Sequence, residues 1–487
     1  MEIPVQAPSR LRPAALLAGI AALLSRIPFA AQRMWDHDSV QFALGVERYD
    51  LAAHHPHPPG YPLYIGLLKL LAAVGIDSLH GMVGLAIVAS GLGAALLVLL
   101  VGELAGSTRA GLFAAVLYIF NPLLWFYAEL PLLYAVEGGL TVAVAYSVWR
   151  MGSSRGSFLA ACALFALVGG LRQSTMVLLA PLFLYGVYLA WRRGRLTWGL
   201  LSAGAALSGA LVLAWFVPLC LLAGGYGAYR RISAEHFATL LPQTSILYGA
   251  GWGALAHNGT VLAKWAIQGL FPGAIALAVL LLLGGTLRPG LRLLGGRALF
   301  LTAWALPPML FFALFHITKG GYTLVHLPAL LAALALVAAP GLAASPRRAA
   351  AVSALAALLG GGLFLFGADR PETASRLWFP VRNEWNRETL VTYERELDDT
   401  LQTVRQYPPE STVLVAVELS GTGAAGAQGF LYSWHRHLQW YLPEYLVVQA
   451  VPEEDFALVA RGHVPLRKEL SQVELPAATA RLLFVLS

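Results

Sequence analysis

The sequence predicts an α-helical polytopic membrane protein that ends in a small α/β domain, and three observations lead there. Of 487 residues, 58% are hydrophobic and only 12% charged, too few polar groups to cover a soluble chain of this length. Runs such as 84–101, 269–284 and 329–344 carry no charge, and each approaches the ~20 residues that cross a hydrocarbon core as a helix. From 368 onward the composition changes to mixed charge, proline and alternating apolar residues.

Apolar length and flanking charge together place about eleven spans. They fall near 12–31, 80–101, 109–127, 131–149, 156–171, 174–191, 197–224, 266–285, 298–316, 323–340 and 348–366. With the N-terminus cytoplasmic, the inside segments hold Arg10 and Arg12, then Arg109, then Arg150 and Arg155. They continue with Arg192, Arg193 and Arg195, with Arg288, Arg292 and Arg297, and with Arg347 and Arg348. The short basic clusters thus share one side, as the positive-inside rule demands, and the net charge of +7 reads as a topology signal rather than a nucleic-acid surface. The first apolar run has the length of a signal peptide but no small-residue cleavage site before Arg33, so it is read as a retained helix. Cys162 and Cys220 lie inside apolar runs, which argues against a disulfide framework or a cysteine metal site.

Three larger segments face outward in this topology: 32–79, 225–265 and the tail from 368. Within the first, 60–76 follows Pro58-Pro59 and contains Lys69, and reads as a helix lying on the membrane surface. The second contains a formal glycosylation sequon at Asn258-Gly259-Thr260. In the tail, 412–417, 445–448 and 481–486 read as strands and 432–441 as an aromatic, histidine-rich helix. The expected division is therefore a membrane domain over 1–367 and an extracytoplasmic α/β domain over 368–487.

The chemistry-bearing residues gather on the outer side. Trp35-Asp36-His37-Asp38-Ser39-Val40-Gln41-Phe42-Ala43 sets two carboxylates just beyond the first span, where desolvation is costly unless the site uses them. Asp38 with Gln41 three residues on also fits a helix-capping box, and Asp36 fits a turn; capping and catalysis stand level on these residues alone. His54-His55-Pro56-His57-Pro58-Pro59-Gly60-Tyr61-Pro62-Leu63-Tyr64 follows. His37, His54, His55 and His57 beside two aspartates suit a divalent metal in composition. Their spacing matches no helical ligand pair, so hydrogen bonding to a substrate or turn structure is the preferred reading. Glu129 reads equally as a functional acid or a solvated one. Glu137 lies inside a span, where burial favours a role over a helix-pairing function. Arg172, in a tight turn between spans, and Lys319 are outward cations suited to a phosphate.

A first span, an acidic outer loop and then His57-Pro58-Pro59-Gly60-Tyr61-Pro62-Leu63-Tyr64 resemble the GT-C superfamily of glycosyltransferases. The similar branch holds protein O-mannosyltransferases and aminoarabinose transferases. Its helix-opening Asp-Glu-x-x-Tyr/Phe-Ala pattern is matched at Asp38, Phe42 and Ala43, with Ser39 standing at the second acidic position. Trp125-Phe126-Tyr127-Ala128-Glu129 falls where the family carries an acidic residue, and Lys319-Gly320-Gly321-Tyr322 resembles its late basic-Tyr segment. The resemblance implies an inverting transfer of a hexose or pentose from a polyprenyl-phosphate donor to a lipid, glycan or protein acceptor outside a bacterial plasma membrane. Asp38 is then the base, with Asp36 in reserve. Arg172, Lys319 and Tyr322 hold the donor phosphate, and His55, His57, Tyr61, Glu129 and Glu137 contact substrate. No cofactor is required by this reading, and a divalent metal is an open alternative. The competing class is a transporter or lipid-linked sugar flippase, which predicts charges at mid-span and related halves.

Overall fold

The computed structural model describes residues 8–367, 384–417, 434–450 and 475–486. Helices α1 (Pro8–Arg26), α4 (Ser78–Ala105), α9 (Gln173–Arg192), α10 (Trp198–Leu222), α12 (Gly251–Leu282), α15 (Leu327–Ala344) and α16 (Pro346–Phe366) belong to spans long and apolar enough to cross a membrane. The pair α13 (Leu287–Gly295) and α14 (Ala298–Leu314), bent by 73°, is long and apolar enough only when its two helices are taken together, as a broken span or a re-entrant loop. The chain is an integral membrane protein. Its other bundle helices are shorter: α5 (Thr108–Ile119), α6 (Pro122–Tyr127), α7 (Tyr134–Arg150) and α8 (Arg155–Leu171). Asn121-Pro122 breaks the expected 109–127 span, because Asn121 Oδ1 accepts from the Leu123 and Leu124 N–H groups and starts a new helix. Two helices sit in the first loop, α2 (His37–Glu47) and α3 (Pro62–Ala73), the latter where the sequence places a helix.

Glycines set the helix spacing. A methyl at Gly19 of α1 would come within 3.1 Å of the Gly91 carbonyl of α4. Gly139 of α7 lies against the Ala89 carbonyl, and Gly360 of α16 against that of Phe120. Small residues allow such close approach where lipid gives no hydrophobic drive for association.

Arg109, Arg150 and Arg297 share one end of the bundle. Arg109 donates to the Ala343 carbonyl at 2.7 Å, Arg297 to that of Leu104 at 3.4 Å, and Arg150 lies 3.5 Å from buried Glu103. α7 carries Arg150 at this end and Glu137 in its first turn at the other.

The segment 225–265 is helical, forming α11 (Tyr226–Thr244) and the first half of the 32-residue α12. Asn258 is buried there, donating to the Thr244 and Ala313 carbonyls at 2.9 and 3.3 Å, so the sequon is no glycosylation site.

After 367, α17 (Arg387–Val404) and α18 (His435–Tyr441) cover a parallel sheet. Its strands β1 (Thr412–Val417), β2 (Leu446–Ala450) and β3 (Arg481–Leu486) run in the order β2-β1-β3, with Val413 paired to Leu446 and Leu482. Leu414 and Ala416 are buried with Leu397 and Leu401 of α17 and Leu438 of α18. The strands stand where the alternating pattern put them. The start of the expected helix at 432 and the domain boundary at 368 fall on residues outside those described.

Gly139→Val should clash with the Ala89 backbone and cost about 1–3 kcal/mol, lowering the detergent-solution melting temperature. Gly84→Ala, with open space around it, should leave that temperature unchanged.

Candidate active site

The first loop folds around its own acids. Asp36 lies in extended backbone, and its Oδ1 accepts from the Asp38 and Ser39 N–H groups at 2.9 and 3.3 Å. Ser39 Oγ in turn lies 3.2 Å from the Asp36 N–H. The capping box is therefore Asp36 with Ser39, two residues before the Asp38–Gln41 pair that the sequence offered. Because the helix opens at His37, Asp38 falls inside the first turn and turns its carboxylate to other side chains.

Lys319 meets both acids. Its Nζ lies 2.6 Å from Asp36 Oδ2 and 2.5 Å from Asp38 Oδ2, and all three residues are buried. Gly320 and Gly321 fit beneath the Trp385 and Tyr134 rings, which brings the Lys319 loop down to α2. Burial opposes the lysine's charge, yet Asp36 and then Asp38 outweigh it and hold the ammonium well above the usual lysine range. Burial alone would raise the Asp38 carboxyl; the Lys319 ammonium overcomes this and holds it well below the usual range. His37 Nε2 lies 3.1 Å and His57 Nδ1 3.7 Å from Asp38 Oδ1, and His57 Nε2 is 2.7 Å from the Tyr61 hydroxyl. Two carboxylates against one ammonium leave the cluster one negative charge in surplus.

A second pair stands nearby. Arg172, the single residue between α8 and α9, donates to Glu137 Oε2 at 2.8 Å, and the Thr175 hydroxyl donates to the other oxygen. The guanidinium lies over the Tyr322 and Tyr134 rings, 4.9 and 5.9 Å from their centroids. Both expected phosphate cations are thus engaged by carboxylates. Glu129 stands apart. It is fully buried, its main-chain oxygen accepts from the Ala31 N–H, and burial drives its carboxyl well above the usual range against the pull of Arg26. That places it beneath the first loop. His55 lies 3.2 Å from Arg436 of α18, and its backbone pairs with Asp50.

Comparison with solved structures gives two crystal structures of ArnT from Cupriavidus metallidurans. The one bound to undecaprenyl phosphate matches with a TM-score of 0.53 at 14% identity, over 93% of this chain and 87% of that one. The apo form matches with a TM-score of 0.50 at 14% identity, over 93% and 94%. The chain has the GT-C fold. Neither a family model nor the sequence of a curated protein matches it.

On this GT-C scaffold the structure adds residues that the sequence did not single out. The His236 ring of α11 lies 5.4 Å from His54 and 6.3 Å from His57, and His316 lies 5.7 Å from Tyr322. Burial pushes His236 down to about 4 and His54 and His316 to about 3, so these rings are neutral at pH 7. Among the described residues, no three His, Cys, Asp or Glu side chains converge to hold a metal ion. Tyr134 and Thr175 complete the Arg172 pair; only their place beside Glu137 and Arg172 on adjoining helices hinted at it.

Lys319→Met would leave two carboxylates buried without a counter-ion and should cost about 3–5 kcal/mol in thermal unfolding. Adding Asp38→Asn should recover part of that stability, because one of the stranded charges is gone.

Proposed function

We propose that the chain is an inverting glycosyltransferase that moves a sugar from a polyprenyl-phosphate donor to an acceptor hydroxyl outside the cytoplasm. The observation that carries this reading is the buried Asp36–Lys319–Asp38 cluster, one carboxylate in surplus, on a GT-C fold at the end away from Arg109, Arg150 and Arg297. The undecaprenyl phosphate bound to one ArnT structure supports a lipid-linked donor. The arginine-rich end faces the cytoplasm, as short basic clusters favour.

In this reaction the acceptor oxygen attacks the anomeric carbon, its proton passes to Asp38, and the bond to the lipid phosphate breaks. The phosphate gains a negative charge as it leaves, so it needs a cation rather than an acid. Lys319 supplies that cation. In the resting cluster Lys319 makes Asp38 a poor base; as the ammonium swings toward the phosphate, Asp38 loses its nearest positive charge and becomes more basic. Base strength then rises in step with charge on the leaving group. Arg172, held by Glu137 and seated on Tyr322, is the second cation, and His57 and Tyr61 line the acceptor side of Asp38. A cavity of about 400 Å³ between α3 and α10, lined by Pro62, Leu63, Gly66, Trp215 and Leu219, suits the donor's hydrocarbon chain.

Transfer of labelled sugar from polyprenyl-phosphate donors to a membrane acceptor fraction tests the assignment. Asp38→Asn should lower transfer about 10²–10⁴-fold. Asp36→Asn, which can still cap the helix, should lose less. Activity should survive EDTA, and the product should carry the inverted anomeric configuration. Transfer indifferent to both substitutions would remove the first loop as the catalytic site, and movement of intact donor across vesicles without bond cleavage would favour a flippase.

A further inference from the structure

The segment that carries Asp36 and Asp38 is held from above by the C-terminal α/β unit. Residue by residue, 32–35 finds its partners there. Glu394 of α17 accepts from the Gln32 and Arg33 N–H groups at 2.6 and 3.2 Å, and Asp398 pairs with the Arg33 guanidinium at 2.7 Å. The Met34 N–H donates to the Tyr441 hydroxyl at 2.9 Å, and the Met34 carbonyl lies 3.2 Å from His437 Nε2. Trp35 packs between Phe126 of the membrane bundle and Tyr393 of α17, at ring distances of 5.2 and 4.4 Å. The next residue is Asp36.

His437 is the centre of this contact. It is buried, and its ring is neutral because burial pushes its pKa down to about 4. A neutral ring bearing its proton on Nε2 can donate to the Met34 carbonyl, with the Tyr393 hydroxyl 3.0 Å from the same nitrogen. Tyr441 takes the N–H of the same residue, so both backbone groups of Met34 are fixed by α18. The far arm of the loop is caught as well, since Arg436 reaches His55 Nε2 at 3.2 Å and the Ala53 carbonyl at 3.3 Å. α18 therefore bridges the chain entering α2 and the chain leaving it.

We infer that His437 and Tyr441 are positioning residues that set the register of α2, and with it the reach of Asp38, so that the C-terminal unit is part of the catalytic machinery rather than an acceptor-binding appendage. The inference rests on the reading of Asp38 as the base. An ion-paired carboxylate must lie within hydrogen-bond reach of the acceptor, and displacement by about 1 Å costs on the order of 10²-fold in rate. A clamp two residues ahead of the helix cap fixes that distance without touching substrate.

The test compares His437→Leu, His437→Gln and Tyr441→Phe in the full-length protein. Gln carries an amide N–H near the position of Nε2, whereas Leu fills the space without a donor. His437→Leu should lower kcat about 10²-fold while the KM for donor and acceptor stays within twofold. Hydrogen exchange over residues 34–40 should rise in the same variant, and His437→Gln should restore both readouts. Tyr441→Phe, which removes one hydroxyl from a buried ring, should show the same pattern more weakly and covers the case of a misfolded Leu variant. Unchanged kcat and unchanged exchange in His437→Leu and Tyr441→Phe would overturn the proposal. So would a Gln variant no better than Leu with both melting at lower temperature, which marks a merely structural contact. If exchange responds as stated while the wild type transfers no sugar, the clamp stands and the reading of Asp38 fails.

Discussion

The Lys319 ammonium, out of water and shared by two carboxylates, constrains more of this molecule than any other contact. Each buried ion costs several kcal/mol of lost hydration, and only close opposite charges with good geometry return it. Asp36 and Asp38 must therefore sit within hydrogen-bond distance of a loop that lies some 280 residues further along the chain. Asp36 meets this demand while also capping α2 through its other oxygen, so one residue fixes both where the helix begins and where the lysine ends. The glycines at 320 and 321 and the aromatic rings above them follow from the same requirement, since any side chain there would lift Lys319 away.

The charge of the site is set by few groups. His57 and His236 are neutral because they are buried, despite the aspartate nearby. Arg172 and Glu137 cancel, and tyrosine faces replace water around the guanidinium. What remains is the surplus carboxylate beside Lys319. An anionic substrate entering such a site changes the local balance more than it would in a solvated cleft, because little water is present to screen it.

What the sequence made legible was local. Apolar runs, Arg-rich turns and strand alternation are read over a window of a few residues, and helices and strands stand at those places, including α3 and the three strands of the tail. The first loop announced its acids because carboxylates are rare beside a span. The helix start was misjudged by two residues, since Asp36 and Asp38 both satisfy the local preference for a cap and only the fold chooses between them. Glu129 looked like a loop acid because nothing adjacent reveals that it is buried. The Asn258 sequon is a three-residue pattern that says nothing of burial, and its amide bridges two other elements. His437 and Tyr441 were visible only as members of an aromatic helix; their partner Met34 lies some 400 residues earlier.

That separation bears on how the protein is made. The loop with Asp36 and Asp38 follows α1, so it is made long before its partners. Lys319 arrives after most of the bundle has been inserted, and α18 later still. Until then the two aspartates remain hydrated and mutually repelling, with no ammonium between them and no clamp over Met34. The growing chain thus holds Asp36 and Asp38 in an unassembled form, and the cluster comes into being only when segments made some 280 and 400 residues later dock on it.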